Sequence, residues 1–571
     1  MSDMLEILKK YWRYNSFRPK QEEIIKSILE GKDTLAILPT GGGKSVCFQV
    51  PAMMREGIAI VVSPLIALMK DQVQNLRDRG IPALAVYSGM SRREIDYTLD
   101  NAIYGDYKFL YVSPERLRTE LFQTRLQRMR VNFLVVDEAH CISQWGYDFR
   151  PDYLEIAGIR EIVGRQVPVV ALTATATPVI AKDIMEKLGF RAENLIAGDF
   201  ARPNLSYIFR QTDNKMGQLL KVCKGVEGSG IVYVSRRKSA EDIAAILQAQ
   251  GISAEGYHAG LPRDARSRIQ DAWKAGETRI IVSTNAFGMG IDKPDVRLVC
   301  HYDMPDTLEG YFQEAGRAGR DGKPAYAVLL WNRSDIARQR QNVRSTYPPL
   351  ETIRAVYQQV YTYLGFAYEE GKEACVKFEV EKFARRYHYH ASTAYYAVKY
   401  LESAGYWTLT ETLQIPAKVQ FSVSRDELYR VQLGNDDTDR FVKLLLRMYT
   451  GLFTEYVPID IARIASSGRY APAVVEEKLR TLARRQLLQY IPAINAPMLT
   501  LHYERLDERN LRLPQSEYEA RVARRTERLE ALVQLVENDA ECRCQQMYRY
   551  FGQPVGAPCG KCDVCRGDSQ A

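Results

Sequence analysis

The sequence predicts the α/β class: two tandem parallel-sheet lobes, then a mostly helical region of winged-helix type, then a small cysteine-rich C-terminal element. Three observations carry this. Short β-branched runs alternate with longer amphipathic segments up to about residue 345, and the alternation restarts once, after a proline-marked stretch at 199–207. Beyond 345 helices dominate and a faint repeat appears at an offset of 81 residues. Five of the ten cysteines crowd between 542 and 565.

In the first lobe, TLAILP (34–39), IAIVVS (58–63), KFLYVS (108–113), VNFLVVD (131–137) and VPVVALTA (167–174) read as strands buried on both faces. Helical patterns between them make a doubly wound arrangement. DFARPNLSY (199–207) reads as a hinge near Arg202 to Leu205. GIVYVS (230–235), RIIVST (279–284), VRLVCHYD (296–303) and YAVLLW (326–331) supply the second sheet. The expected domains are 1–204 and 205–345 for the lobes, 346–435 and 436–510 for two winged units, and 511–571 for the terminal element.

The repeat matches Val380, Phe383, Ala384, Val398, Leu401 and Trp407 to Ile461, Ile464, Ala465, Leu479, Leu482 and Leu488. Each copy reads helix, tight turn, helix, then a local hairpin (WTLTETLQIPAKVQFSV and LLQYIPAINAPMLTLHY), which is the layout of a winged helix. Such a unit serves either nucleic-acid contact or plain scaffolding. From 517 to 548 an amphipathic helix is expected, with Leu529, Leu532, Val533 and Val536 on one face. Arg521, Arg524, Arg525 and Arg528 near its start read as a solvated face.

With 46% hydrophobic and 26% charged residues, the 571-residue chain has the composition of a globular protein. A net charge of +8 permits a polyanionic partner without demanding one. The N-terminal MSDMLEILKKYWRY lacks the pattern of a signal peptide, and no apolar run reaches a bilayer span. The expectation is a soluble, intracellular protein without membrane association. Cys47, Cys141, Cys223, Cys300 and Cys375 are isolated and read as small apolar side chains.

PTGGGKS (39–45) follows a predicted strand and precedes a helical segment. Thr40, Gly41, Gly42 and Gly43 let backbone N–H groups curl around a phosphate chain. Lys44 reaches the β- and γ-phosphates, and the Ser45 hydroxyl suits Mg²⁺. The general pattern wants glycine where Leu38 stands. VVDEAH (135–140) ends a strand with two acids: Asp137 suits Mg²⁺ held through water, and Glu138 suits orienting and deprotonating a water. QEAGRAGRDG (313–322) offers Arg317 and Arg320 from the other lobe, three residues apart, to stabilise charge on a transferred phosphoryl group. Neither lobe holds a complete site, so ATP hydrolysis is expected to be tied to their closure.

CRCQQMYRYFGQPVGAPCGKCDVC (542–565) places thiols at 542, 544, 559, 562 and 565. Cys559, Cys562 and Cys565 form a knuckle that a fourth thiolate, Cys542 or Cys544, completes as a structural zinc site. With no open position, such a site serves folding.

These elements together resemble superfamily 2 helicases, and closely the RecQ family. FRPKQEEII (17–25), SPLIALMKDQ (63–72), SPERL (113–117), DEAHCISQWGYDFRP (137–151), ALTATAT (171–177), YHAGL (257–261), STNAFGMGIDKPDVR (283–297) and QEAGRAGRDG follow in that family's order over nearly all of 10–335. The resemblance implies two RecA-like lobes and an ATP-dependent 3′ to 5′ DNA helicase serving recombination, repair and replication restart. It accommodates Leu38, implies that Gln21 reads adenine with Arg18 beside it, and implies Trp145, Phe149 and Arg150 in a loop that senses single-stranded DNA. It selects Cys542 as the fourth zinc ligand. The implied cofactors are ATP, Mg²⁺ and structural Zn²⁺. The implied partners are single-stranded and 3′-tailed duplex DNA, single-strand-binding protein and recombination factors. A monomer in the cytoplasm, at the nucleoid in a bacterium, is implied as well.

Two departures stand out. Tyr147 replaces the family's usual histidine, so this position cannot become cationic. The cysteine motif follows the lobes only after some 200 residues, with the winged units before it and no HRDC domain expected behind it. Assigning the family's duplex-splitting hairpin to 403–424 is accordingly insecure.

Overall fold

The computed structural model describes residues 2–87, 90, 92–143, 150–285, 287, 293–372, 374–415, 417–424, 427–428, 436–453, 457–492 and 494–567. The chain divides into two compact units, Met1–Val343 with Arg521–Ala571, and Arg344–Ala520.

The first unit holds two parallel sheets. In lobe 1 the strands are β1 (Thr34–Ile37), β2 (Ile58–Val62), β3 (Ala83–Val86), β4 (Phe109–Val112), β5 (Val131–Val136), β6 (Val169–Thr173) and β7 (Leu195–Ala197), in the order β3-β4-β2-β5-β6-β1-β7. Alternate residues feed two apolar layers: Leu35, Ile60 and Val62 pack on one face, Ala36, Ala59 and Val61 on the other. Burial on both faces is why these strands read as continuous apolar runs. Lobe 2 contains β8 (Leu205–Gln211), β9 (Ser229–Tyr233), β10 (Ala254–Tyr257), β11 (Ile280–Ser283), β12 (Val296–His301) and β13 (Ala325–Trp331), ordered β10-β11-β9-β12-β13-β8. The sequence reading omitted β3, β7, β8 and β10. β7 is a three-residue edge strand with Leu195 exposed, and β10 is the half-polar AEGY, so neither has a strong apolar signal.

Asp33 anchors the start of β1. Its carboxylate accepts the Val169 N–H at 2.9 Å, the Arg191 N–H at 2.8 Å and Arg160 Nη2 at 2.6 Å. Burial alone would raise this carboxyl, but the bonds from Arg191, Val169 and Arg160 hold it below its ordinary value. The strand that leads into PTGGGKS is thereby tied to β6 and to the chain near residue 191.

The segment returning at Arg521 packs on the lobes. Helix Gln515–Glu537 buries Leu529, Leu532, Val533, Leu535 and Val536 in the same apolar cluster as lobe residues, together with Met547 and Phe551 of helix Arg543–Tyr550 and the residue after it. The expected helix through 548 is therefore interrupted. Two of the four arginines expected on a solvated face meet lobe 2 instead: Arg525 pairs with Asp306 at 3.0 Å, and Arg528 lies 3.6 Å from the buried Glu309. Arg340 makes a two-point bond to Glu530 at 2.7 and 2.8 Å.

The second unit preserves the repeat. Helices Val380–Arg386 and Ala391–Ser403 and strand Trp407–Ile415 recur 81 residues later as Ile461–Gly468, Pro472–Arg484 and strand Leu488–Ile491. Phe383, Val398, Leu401 and Trp407 fill one core; Ile464, Leu479, Leu482 and Leu488 fill the other. Among the described residues, however, the strands of each expected local hairpin do not pair with each other. The strands are β14 (Cys375–Lys377), β15 (Trp407–Ile415), β16 (Ala417–Phe421), β17 (Val457–Ile459), β18 (Leu488–Ile491) and β19 (Ile494–Leu501). β15 pairs antiparallel with β19, Trp407 opposite Leu501, and β16 with β18, Phe421 opposite Leu488. The sheets are β14-β19-β15 and β17-β16-β18. One winged unit is thus nested inside the wing of the other, rather than following it across a boundary at 435. The segment 403–424 is not a hairpin, because each of its strands finds a partner about 70 to 90 residues away.

Candidate nucleotide and metal sites

PTGGGKS bridges the end of β1 and helix Lys44–Met54. Gly41 and Gly43 have φ of 79° and 77°, a region costly for residues with a Cβ. Gly43 in that conformation immediately precedes the helix, so Lys44 and Ser45 stand on its first turn, where free N–H groups favour anions. The segment 17–25 braces the loop from outside. Gln21 Nε2 donates to the carbonyls of Gly43 at 3.0 Å and Gly42 at 3.3 Å, and the Arg18 guanidinium donates to Gly41. Gln21 Oε1 accepts the Arg18 N–H at 2.8 Å. A cavity of about 580 Å³ opens here between Phe17, Arg18, Gln21, Gly43, Pro294 and Arg320.

The second sequence element stands two strands away in the sheet, at the end of β5. Asp137 N–H donates to Val62 O at 2.9 Å, Ser63 Oγ lies 3.5 Å from Asp137 Oδ2, and the Glu138 N–H donates to Asp137 Oδ1 at 3.0 Å. Burial and the adjacent Glu138 carboxylate push Asp137 up to about 7, against the pull of Lys44. Glu138 is itself buried and left-handed, with φ 47°, and its Oε2 lies 3.3 Å from His140 Nδ1. His140 Nδ1 also meets Thr173 Oγ1, at the end of β6, at 3.0 Å.

Lobe 2 closes the site. Helix Leu308–Ala315 runs into Arg317 and Arg320, and a cavity of about 180 Å³ is lined by Lys44, Ser45, Asp137, Glu138, Arg317 and Arg320 among others. Thus the P-loop, both acids and both arginines face one space. Approach is close: a Cβ on Gly316 would lie 2.1 Å from Thr40 Oγ1, and one on Gly41 would meet Arg320 Cγ at 3.0 Å. The Ser45 hydroxyl and the buried Asp137 carboxylate, facing the same cavity, are the hard oxygen donors that fit Mg²⁺.

The thiols of Cys542, Cys559, Cys562 and Cys565 all lie within 4.8 Å of one another. Cys562 and Cys542 sulfurs are 3.9 Å apart, Cys559 and Cys565 sulfurs 4.0 Å. Tetrahedral Zn–S bonds of about 2.3 Å require S···S of about 3.8 Å, so the four fit zinc. Backbone N–H groups of Cys559, Cys562 and Cys565 point at the sulfurs of Cys542, Cys559 and Cys562 at 3.3 to 3.4 Å, which supports thiolate charge. Cys544, the alternative, is buried on helix Arg543–Tyr550 outside this set. Next to the site, the fully buried Arg543 forks onto Asp563 at 2.9 to 3.2 Å.

Trp145, Tyr147 and Phe149 lie outside the described residues. Arg150 is described: its N–H donates to Cys141 O at 2.8 Å and its guanidinium to Pro64 O at 3.1 Å. It lines a cavity of about 460 Å³ with Ser235, Thr284, Asn285 and Arg317. The sequence reading gives Thr173 no role beyond its motif ALTATAT and Arg202 none beyond the hinge, while Tyr153 is the aromatic of 145–153 best explained as core. Tyr153 is wholly buried, with its hydroxyl on the Asp137 carbonyl. The partners of Arg202 are backbone carbonyls, which leave no residue signature.

Residues 18–184 match the family model described as DEAD/DEAH box helicase, and 213–322 match helicase conserved C-terminal domain. The inserted winged unit matches RecQ helicase winged-helix domain, Bacteroidota, at 419–492, and 504–566 match RecQ zinc-binding. An ATP-dependent DNA helicase RecQ of Pasteurella multocida is 43% identical over 334 residues, covering 58% of this chain and 53% of the relative. A probable ATP-dependent DNA helicase RecS of Bacillus subtilis is 41% identical over 361 residues, covering 62% of this chain and 72% of the relative. The chain spans about half the length of the RecQ relatives from Pasteurella and Haemophilus influenzae. A crystal structure of the DUF1998 helicase MrfA bound to DNA and AMPPNP shares the fold, at TM-score 0.50 and 17% identity over 60% of this chain and 53% of that one. With both lobes, the winged unit and the cysteine element matched in one chain, and RecS covered over most of its length, the chain belongs to the RecQ family.

Proposed function

We propose that this chain is an ATP-dependent DNA helicase that moves 3′ to 5′ along single-stranded DNA, unwinding duplex in recombination, repair and replication restart. The observation that carries the reading is the convergence of lobe 1's Lys44, Asp137 and Glu138 with lobe 2's Arg317 and Arg320 on one small cavity. Gln21 and Arg18 hold the adenine end, while Thr40 to Gly43 and Lys44 bind the phosphates. Glu138 takes the proton of the attacking water as its oxygen bonds to the γ-phosphorus and the β–γ bridge breaks. Arg317 and Arg320 stabilise the charge that develops on the transferred group. Ser45 and Asp137 would hold magnesium, which would supply further neutralisation when bound. Because the groups come from both lobes, turnover requires closure, and opening after hydrolysis resets the grip on DNA.

Trp145, Phe149 and Arg150 form the DNA-sensing loop in this reading, and at least one winged unit touches DNA. Zinc at Cys542, Cys559, Cys562 and Cys565 is structural. The test follows ATP turnover and strand displacement on a duplex with a 3′ single-stranded tail, with an RNA strand as comparison. DNA-stimulated hydrolysis with displacement supports the reading. Hydrolysis without displacement makes the chain a translocase or annealing factor. Absence of DNA-stimulated hydrolysis makes it a nucleotide-switched binding module, and stimulation by RNA alone reassigns the substrate.

A further inference from the structure

The segment joining the lobes carries an arginine in an unusual position. Arg202 Nη2 donates to the carbonyls of Ala318 at 2.8 Å and Gly319 at 2.9 Å, and Nη1 lies 3.3 Å from Gly316 O and 3.4 Å from Thr40 O. Gly316 immediately precedes Arg317, and Gly319 immediately precedes Arg320. Thr40 immediately precedes the glycines of the P-loop. One planar guanidinium therefore spans the turns that present both arginines and the loop that holds the phosphates. Asn204, two residues on, adds Nδ2 bonds to Gly319 O at 2.7 Å and Lys323 O at 2.8 Å.

The acceptors are four backbone carbonyls. Carbonyl acceptors make a fork of fixed donors matter more than charge, and a lysine ammonium on a flexible stem cannot reproduce it. The hinge around Arg202 is held in turn. Phe200 stacks on Phe312 of helix Leu308–Ala315 at 5.2 Å and meets Phe551 of the cysteine element edge-on at 5.4 Å. Lys561 donates to Pro203 O. Arg202 thus hangs from a fixed point rather than a slack linker.

We propose that Arg202 is a positioning residue for phosphoryl transfer: it clamps the turn 316–320 onto the P-loop and so sets Arg317 and Arg320 at the γ-phosphate. This rests on the function proposed above, and the experiment separates the two. ATP turnover by the full chain with saturating 3′-tailed DNA is measured for Arg202→Ala, Arg317→Ala and the double variant, beside binding of a non-hydrolysable ATP analogue.

Arg202→Ala should lower kcat at least about tenfold with KM and analogue affinity within about threefold, and the double variant should lose clearly less than the product of the two single losses, because Arg317 is no longer there to be misplaced. A kcat within about twofold of wild type, or losses that multiply in the double variant, would overturn the proposal. If Arg202→Ala does not fold, Arg202→Lys is read by the same criteria, because it keeps the charge and loses the fork. Should the unaltered chain hydrolyse no ATP, the proposed function fails while the clamp stays testable. The Gly319 amide, bonded to Val296 O at 2.8 Å, should then exchange its hydrogen faster in Arg202→Lys, and an equal rate refutes the clamp.

Discussion

Tyr153 Oη donates to the main-chain carbonyl of Asp137 at 2.9 Å, so the far end of the aromatic stretch 145–153 is bonded to the end of β5. The ring is fully buried in the lobe 1 core. Tyr153 is therefore a core aromatic whose hydroxyl braces the backbone between the two acids, and no surface for DNA. Removing that hydroxyl alone with Tyr153→Phe should cost about 1 kcal/mol, read as a lower urea midpoint at unchanged slope. An unaltered midpoint would mean the bond contributes nothing net.

Between Asp137 and Tyr153 the sequence carries Trp145 and Phe149, the residues proposed to sense DNA. Stacking on a base is worth roughly 1–3 kcal/mol, enough to bias a loop tethered at one end by Tyr153 and Arg150 to the acidic motif. In Trp145→Ala, basal ATP turnover should persist while stimulation by single-stranded DNA disappears. Stimulation at the wild-type level would remove the loop from the coupling path.

Asp137 carries a pH signature. A carboxyl held above its unfolded value adds stability below that value, near 3.8, and loses the contribution as the pH rises through about 7. The nucleotide-free chain should lose this increment over that window, and Asp137→Asn should flatten the slope. Magnesium competes with the proton, so the rise in melting temperature on adding Mg²⁺ with an ATP analogue should grow between about pH 5 and pH 7.5. A pH-independent rise would exclude Asp137 from the cation site.

The cysteine element reaches the hinge through Phe551, Phe200 and Lys561. Cys562→Ser should therefore lower zinc content and solubility together, whereas Cys544→Ser should retain one zinc per chain by atomic absorption. Full metal content in Cys562→Ser would mean the ligand set is misassigned.

Much of the nucleotide site was legible because its parts are contiguous: PTGGGKS, DEAH and the arginine pair each put their chemistry within a few residues. Cys542 needed the resemblance for its choice over Cys544, since spacing alone allowed either; both are buried, and it is the Cys542 sulfur that lies within 4.8 Å of the other three. Arg202 had no such signature, because its partners are carbonyls of residues 114 to 117 positions away in one direction and 162 in the other.

Periodicity determined the two parallel-sheet lobes and the 81-residue repeat of helix–turn–helix cores, which depend on local patterns of burial, and contiguous residue types determined the nucleotide motifs. Tertiary structure alone decided that the repeat's strands exchange partners, β15 with β19 and β16 with β18, nesting one winged unit in the other. It also decided that the helix at 521–537 rejoins the lobes. A strand's alternation says which face is buried and nothing about which edge it joins. Its partner is chosen by the packing of the whole chain.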